Sequence, residues 1–287
     1  MDDVDGHAEE MEHVTTPSKT KATRALAAAV FFLLLGSFSG VRLLARRLVF
    51  RGQGGSSEAL PADLVPLEAT AKDGAAVHAA ELRAGPDAPT LVHFHDNRQT
   101  LTSNIELARA IVARGISVVL VEYRGYGASG ALSPSEDALY ADAEAVLDVL
   151  ARRGVPASRV ILSGRSLGTG VAAEMARRGR GGALVLIAPF TSIPDLVRES
   201  VAWAPADWMV PDAFDTGAKT GDIKVPTLIV HGDRDDVVPI GMGVALSGAI
   251  AHARLVRVEG AGHGDVVDRS LQALLAGIES LARALRK

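Results

Sequence analysis

Read for apolar and polar positions, the chain changes character near residue 64 and then repeats one scheme to its end. Leu64–Thr70 and Ala76–Leu82 alternate apolar with polar residues on either side of Asp73-Gly74, which predicts a hairpin. Continuous apolar runs follow at Thr90–His95, Ser117–Tyr123, Val160–Ser163, Ala183–Ile187 and Thr227–Val230, and Arg254–Val258 reads as a further strand. Runs this short, bounded by Gly and Asp, read as strands buried on both faces. Between them lie stretches with helical spacing: one from Ile105 to Gly115, one opening at Ser133-Pro134-Ser135-Glu136 and closing near Gly154, then Ser166–Arg178, Gly241–Ala251 and Asp265–Arg286. The Ser-Pro-Ser-Glu stretch carries a capping-box pattern, with serine as cap, proline in the first turn and glutamate three on. Strands separated by helices of 10 to 20 residues must pair in parallel, with the crossovers covering both faces. The predicted architecture is therefore α/β: one mostly parallel sheet of about eight strands with an antiparallel hairpin at its edge.

The first 60 residues follow another pattern. Asp2, Asp3, Asp5, Glu9, Glu10 and Glu12 make an acidic start with little to bury, and residues 1–24 read as a disordered tail. Lys19, Lys21 and Arg24 then precede Ala25–Val41, an uncharged run closed by Arg42, Arg46, Arg47 and Arg51. Its 17 residues are the short end of what spans a bilayer, so residues 25–44 are expected to form a single-pass membrane anchor. A cleaved signal peptide, with Ser37-Phe38-Ser39 as a small-x-small site, and a buried amphipathic helix are the alternatives. The basic residues are too evenly divided to orient the segment. Residues 45–63, rich in Gly and Ser from Arg51 onward, read as a linker, which leaves 64–287 as the folded domain.

Composition narrows the chemistry. A chain of 287 residues, 48% hydrophobic and 22% charged, can bury a large core. A net charge of −4 gives no reason to expect a nucleic-acid partner, and the absence of cysteine excludes thiol catalysis, iron–sulfur ligation and thiolate zinc sites.

In a sheet of this kind ligands bind beyond the carboxyl ends of the strands, so the loops that leave strands are where chemistry is expected. One is Gly164-Arg165-Ser166-Leu167-Gly168, between a strand and a helix. There a serine occupies a sharp strained turn, and the following helix aims its first amides at the site. The backbone N–H of Leu167 becomes a donor for an oxyanion. A serine hydroxyl needs a base. His7 and His13 lie in the acidic tail, His78 and His93 on strands and His252 at a helix end, whereas His263 stands in the glycine-rich loop "GAGHGD" between the last strand and the last helix. The orienting carboxylate is among Asp233, Asp235 and Asp236, just after a strand. Serine, acid and histidine thus occur in that order on three separate loops.

The stretches "LVHFHDN", "VEYRGYGASG", "ILSGRSLGTGVAAE", "VLIAPFTSI", "IKVPTLIVHGDRDDVVP" and "GAGHGD" together resemble the α/β-hydrolase superfamily. Within it they resemble the small-lid group of Bem46-like and α/β-hydrolase domain-containing 12/13/17-like serine hydrolases. The resemblance runs from about Leu64 to the C-terminus. It implies Ser166 as nucleophile, Asp235 as triad acid within His231-Gly-x-x-Asp-x-x-Val-Pro239, His263 as base, Asp233 as a loop support, and neither metal nor cofactor. It also implies that Asn97 N–H supplies the second oxyanion donor and that Arg124 ties neighbouring loops together. One departure stands out: the family has His-Gly-Asn where this chain has His95-Asp96-Asn97. Glycine permits positive φ there, and an inward aspartate would oppose a developing oxyanion; Asp96 is expected to point away.

Residues 191–224 are too few for a cap domain and read as a small lid. It holds Trp203, Trp208, Met209 and Phe214, which either pack the lid onto the core or line an acyl pocket. The function expected is that of a membrane-anchored serine hydrolase cleaving an ester, thioester or amide, with a lipidic or acylated substrate. A serine peptidase of the same fold and a non-catalytic tethered binding domain are the alternatives.

Overall fold

The computed structural model describes Gly36 and residues 39–51, 60–130 and 132–286. The acidic tail and most of the expected anchor, 1–24 and 25–35, lie outside the described residues. Among the described residues no helix is long and apolar enough to cross a membrane.

Eight strands form one sheet: β1 (Val65–Thr70), β2 (Ala76–Leu82), β3 (Thr90–Phe94), β4 (Ser117–Val121), β5 (Val160–Arg165), β6 (Ala183–Ile187), β7 (Thr227–Gly232) and β8 (Ala253–Val258). Their spatial order is β1-β2-β4-β3-β5-β6-β7-β8. β2 pairs antiparallel with β1 and with β4, and every other pairing is parallel. The predicted hairpin and the parallel run are both present.

The helices are α1 (residues 39–49), α2 (Ile105–Val112), α3 (Glu136–Arg152), α4 (Leu167–Arg177), α5 (Ile193–Ser200), α6 (Ala206–Met209), α7 (Ile240–Ala249) and α8 (Val266–Ala284). Strand side chains alternate between two cores. Val92, Phe94, Val119 and Leu162 face α3, α4 and α7, whereas Leu91, Val118, Ile161 and Val230 face α2 and α8. Every residue of β3, β4 and β6 is buried, which is why these strands read as unbroken apolar runs.

Two local expectations are corrected. The cap of α3 is Ser135, not Ser133: its hydroxyl accepts from Ala138 N–H at 3.2 Å. Glu136 is thereby released from capping and accepts from Phe214 N–H (2.9 Å) and Tyr140 Oη (2.6 Å), tying the lid to the core. The segment read as the beginning of a linker is also structured. Helix α1 continues to residue 49, and Phe50 is buried edge-on against Phe214, with ring centroids 6.2 Å apart. Arg46 adds an ion pair to Asp212 at 2.7 Å. Leu48-Val49-Phe50 is an apolar triplet between Arg47 and Arg51, too short to register as an element but long enough to bury one ring.

The lid is anchored through Lys219, whose Nζ donates to Tyr140 Oη (2.7 Å) and lies 3.3 Å from Glu174. Burial pushes the Glu174 carboxyl up, but hydrogen bonds from Arg177 and Arg178 and the charge of Lys219 outweigh it and hold the group down to about 2. A carboxylate so depressed stabilises the fold above its unfolded pKa near 4.5, and that contribution is lost as pH falls toward 2. Arg177 and Arg178 are more than a third exposed, so solvent screening reduces the gain. Glu174→Gln should cost about 1–2 kcal/mol at pH 7. Urea midpoints of the two proteins should draw together below pH 4.5 and meet only as pH falls to about 2.

Candidate active site

The turn between β5 and α4 is set by backbone contacts. Ser166 sits at φ 47°, ψ −116°, a conformation that costs a non-glycine residue on the order of 1–3 kcal/mol. Its N–H is held by Ile187 C=O at 2.9 Å, and its C=O accepts from Thr169 Oγ1 at 2.6 Å. A Cβ on Gly164 would collide with the Gly168 carbonyl, and one on Gly168 with the carbonyls of Phe94 and His95. The two glycines therefore let α4 start directly over the ends of β3 and β5.

Three loops bring their side chains together. Ser166 Oγ lies 3.1 Å from His263 Nε2, and His263 Nδ1 lies 2.8 Å from Asp235 Oδ2. The other carboxylate oxygen accepts from the N–H groups of Val237 (2.9 Å) and Val238 (2.7 Å). Burial pushes the Asp235 carboxyl up, but hydrogen bonds from His231, His263 and Val238 N–H more than reverse this and hold it well below the usual carboxylate range. Asp235 is thus ionised throughout the neutral range and faces His263 Nδ1, while His263 Nε2 faces the serine hydroxyl. Asp233 supports the loop, accepting from Gly260 N–H at 2.7 Å, whereas Asp236 is exposed. Asp265 closes the histidine loop by accepting from Gly262 N–H at 2.7 Å.

Asp96 does not adopt the backbone its position suggested. Among the described residues only Ser166, Ala188 and Phe214 combine a side chain with positive φ, so residue 96 does not require glycine. Its Oδ1 accepts from Arg98 N–H at 2.7 Å, and its Oδ2 lies 3.6 Å from Arg165 Nε. Arg165, the residue before the serine, also donates to the carbonyls of His263 (3.1 Å) and Gly264 (3.0 Å). One guanidinium thus links the Asp96 loop to the histidine loop and offsets the aspartate's charge. Asn97 and Leu167 line the same cavity as Ser166 and His263, and among the described residues neither backbone N–H has a hydrogen-bond acceptor. Arg124 has the tying role expected of it, bonding Asp142 on α3 and Asp73 in the hairpin turn. His93 is a core residue: burial pushes its imidazole down to about 3, which keeps it neutral.

The cavity over Ser166 has a volume of about 310 Å³. Its apolar wall is Phe190 from the loop after β6 and Ile193, Leu196 and Val197 from α5, together with Val237 and Val238, and Leu48 and Val49 from α1. This corrects the lid assignment, because none of Trp203, Trp208, Met209 or Phe214 lines it. Phe214 is fully buried between Phe50 and Tyr140, Met209 packs on the core, and Trp203 and Trp208 are 86% and 52% exposed. The lid offers the amphipathic face of α5 to the cavity instead. Val49 was missed because a wall supplied by an N-terminal segment has no motif; its C=O also accepts from Asn97 Nδ2 at 3.1 Å, steadying the loop that carries the Asn97 N–H.

A strained serine after the parallel strand β5, with an acid and a histidine on the loops that leave β7 and β8, defines an α/β protein in which serine, histidine and aspartate side chains meet in line. The chain has the α/β-hydrolase fold and is similar in sequence to α/β-hydrolase proteins. Residues 88–214 match the family model described as "Serine aminopeptidase, S33", and residues 194–278 match "TAP-like protein". It is 34% identical over 184 residues to an uncharacterized protein of Mycobacterium tuberculosis, covering 63% of this chain and 65% of that one. To human alpha/beta hydrolase domain-containing protein 17B it is 33% identical over 194 residues, covering 64% of each. The chain thus spans 64–65% of the length of these two relatives. The esterase Pf2001 of Pyrococcus furiosus shares the fold with a TM-score of 0.69 at 14% identity, over 82% of this chain and 97% of that one.

Phe50 joins α1 to the lid floor, so Phe50→Ala should cost about 3–4 kcal/mol. Thermal unfolding of the variant should show the loss as a lower midpoint, while a conservative Phe50→Leu should retain most of the stability.

Proposed function

We propose that this chain is a serine hydrolase acting by acyl transfer to water on an ester, thioester or amide. The carrying observation is the continuous relay from Ser166 Oγ through His263 to Asp235, at 3.1 and 2.8 Å. In this reading His263 Nε2 takes the serine proton as Oγ bonds to the acyl carbon, and Asp235 holds the resulting imidazolium. The N–H groups of Leu167 and Asn97 receive the oxyanion. The leaving oxygen, sulfur or nitrogen then departs with the proton from His263. Water, deprotonated by the same histidine, releases the acid and restores the serine. No step needs a metal or cofactor.

The apolar cavity walls support an acyl chain as the group retained on Ser166. The uncharged run Ala25–Val41, with basic residues on both sides, supports attachment to a membrane as a single-pass protein acting on lipidic or acylated substrates. A peptidase is the second reading, favoured by the name of the matching family model. An aminopeptidase, however, needs a carboxylate for the substrate's amine. The one carboxylate lining this cavity among the described residues, Asp96, is engaged by Arg165 and by Arg98 N–H.

Turnover of p-nitrophenyl octanoate should fall at least about 10³-fold in Ser166→Ala and His263→Ala, and about 10⁴-fold in Asp235→Asn, whose amide stabilises the wrong imidazole tautomer. Rates within tenfold of the native chain in Ser166→Ala would remove the serine from the chemistry. Faster cleavage of leucine p-nitroanilide than of the ester would favour the peptidase.

A further inference from the structure

The cavity over Ser166 is apolar on three sides but carries charge at one end. Arg51, just past the end of α1, and Arg98, in the loop after β3, both line it. The Arg51 guanidinium is held through Nε, which donates to Leu48 C=O at 3.2 Å and leaves its terminal nitrogens for a ligand, and Arg98 is held by its backbone N–H, which donates to Asp96 Oδ1 at 2.7 Å. Among the described residues neither guanidinium has a carboxylate partner, in contrast to Arg46, Arg109, Arg124 and Arg165, each of which pairs with one. The one carboxylate lining the cavity among the described residues, Asp96, is offset by Arg165. The nucleophile's cavity therefore combines a wall for an aliphatic chain with two permanently charged forks. A guanidinium pairs with carboxylate or phosphate oxygens two at a time.

Resting on the hydrolase reading, we propose that Arg51 and Arg98 select acyl substrates whose leaving group carries an anion, a carboxylate or phosphate, while the apolar wall holds the acyl chain. The two arginines are binding residues and take no part in the proton transfers. The same chemistry is offered by an anionic lipid headgroup and by a soluble acyl compound with a phosphate or carboxylate on its leaving group.

The test uses two esters with the same acyl chain: 4-octanoyloxybenzoate, whose leaving group is anionic, and its neutral methyl ester. The ratio of kcat/KM for the anionic over the neutral ester cancels effects common to both. It should fall about 3–10-fold in Arg51→Gln and in Arg98→Gln, and further in the double variant. Arg47→Gln, an exposed arginine of α1 outside the cavity lining, should leave it unchanged. A ratio unaltered in the double variant, or altered equally by Arg47→Gln, overturns the proposal. Octyl phosphate and octyl glucoside, titrated calorimetrically into Ser166→Ala protein, give a readout independent of turnover; only the phosphate should bind, and less tightly in the double variant. Binding of octyl phosphate without hydrolysis of either ester retains the anion site and removes the hydrolase reading. Hydrolysis of both esters with no effect of the arginines does the reverse. Lysophosphatidylglycerol against monoacylglycerol of equal chain length, compared with the two dissolved esters, shows whether the larger arginine-dependent preference belongs to the lipid or the soluble source.

Discussion

The site depends on how closely three backbone segments approach at the end of β5. Ser166 is held at positive φ because Gly164 and Gly168 let the first turn of α4 lie against the exits of β3 and β5 without a Cβ between them. That crossing fixes the direction of α4 and hence the position of the Leu167 N–H. It also sets where Oγ stands above the sheet. A side chain at either glycine would push α4 away and move the serine from the imidazole. The strain at Ser166 is stored by a surround that over-determines it: buried strands on both sides, a backbone bond to Ile187 and a hydroxyl bond from Thr169.

Charge then adjusts what the backbone has placed. Arg165 is the shared partner of the Asp96 carboxylate and of the carbonyls of His263 and Gly264, so the residue before Ser166 links the two loops on either side of it. Placing an aspartate at position 96 is tolerable because a guanidinium stands beside it and a backbone N–H caps it. The Asp235 carboxylate receives two backbone N–H groups on one oxygen, and its other oxygen faces His263 at 2.8 Å and His231 at 3.5 Å.

Much of this was legible in the sequence, for identifiable reasons. Strands buried on both faces, such as β3, β4, β6 and β7, leave unbroken apolar runs, and the alternating strands of the hairpin marked by Asp73-Gly74 were equally visible. Ser166, Asp235 and His263 were visible because strand-exit loops carry recognisable residue patterns. The cavity wall was not. It comes from α5, whose residues repeat like those of any amphipathic helix, and from Leu48 and Val49, which lie far from the motifs in sequence. Aromatic residues misled for the same reason: Trp203 and Trp208 are conspicuous in a sequence with two tryptophans, yet both are turned outward. The Ser135 cap was misplaced by two residues because Ser133-Pro134 offers an equally good local pattern. Long-range contacts of Glu136 with the lid decided between them.

The central claim is that Ser166 is an activated nucleophile. Treating the native chain with a small fluorophosphonate and mapping the adduct by peptide mass spectrometry tests it directly. A single stoichiometric adduct on the peptide containing Ser166, absent after heat denaturation, is the result predicted. A folded chain left unmodified, or modified at another serine, would contradict it.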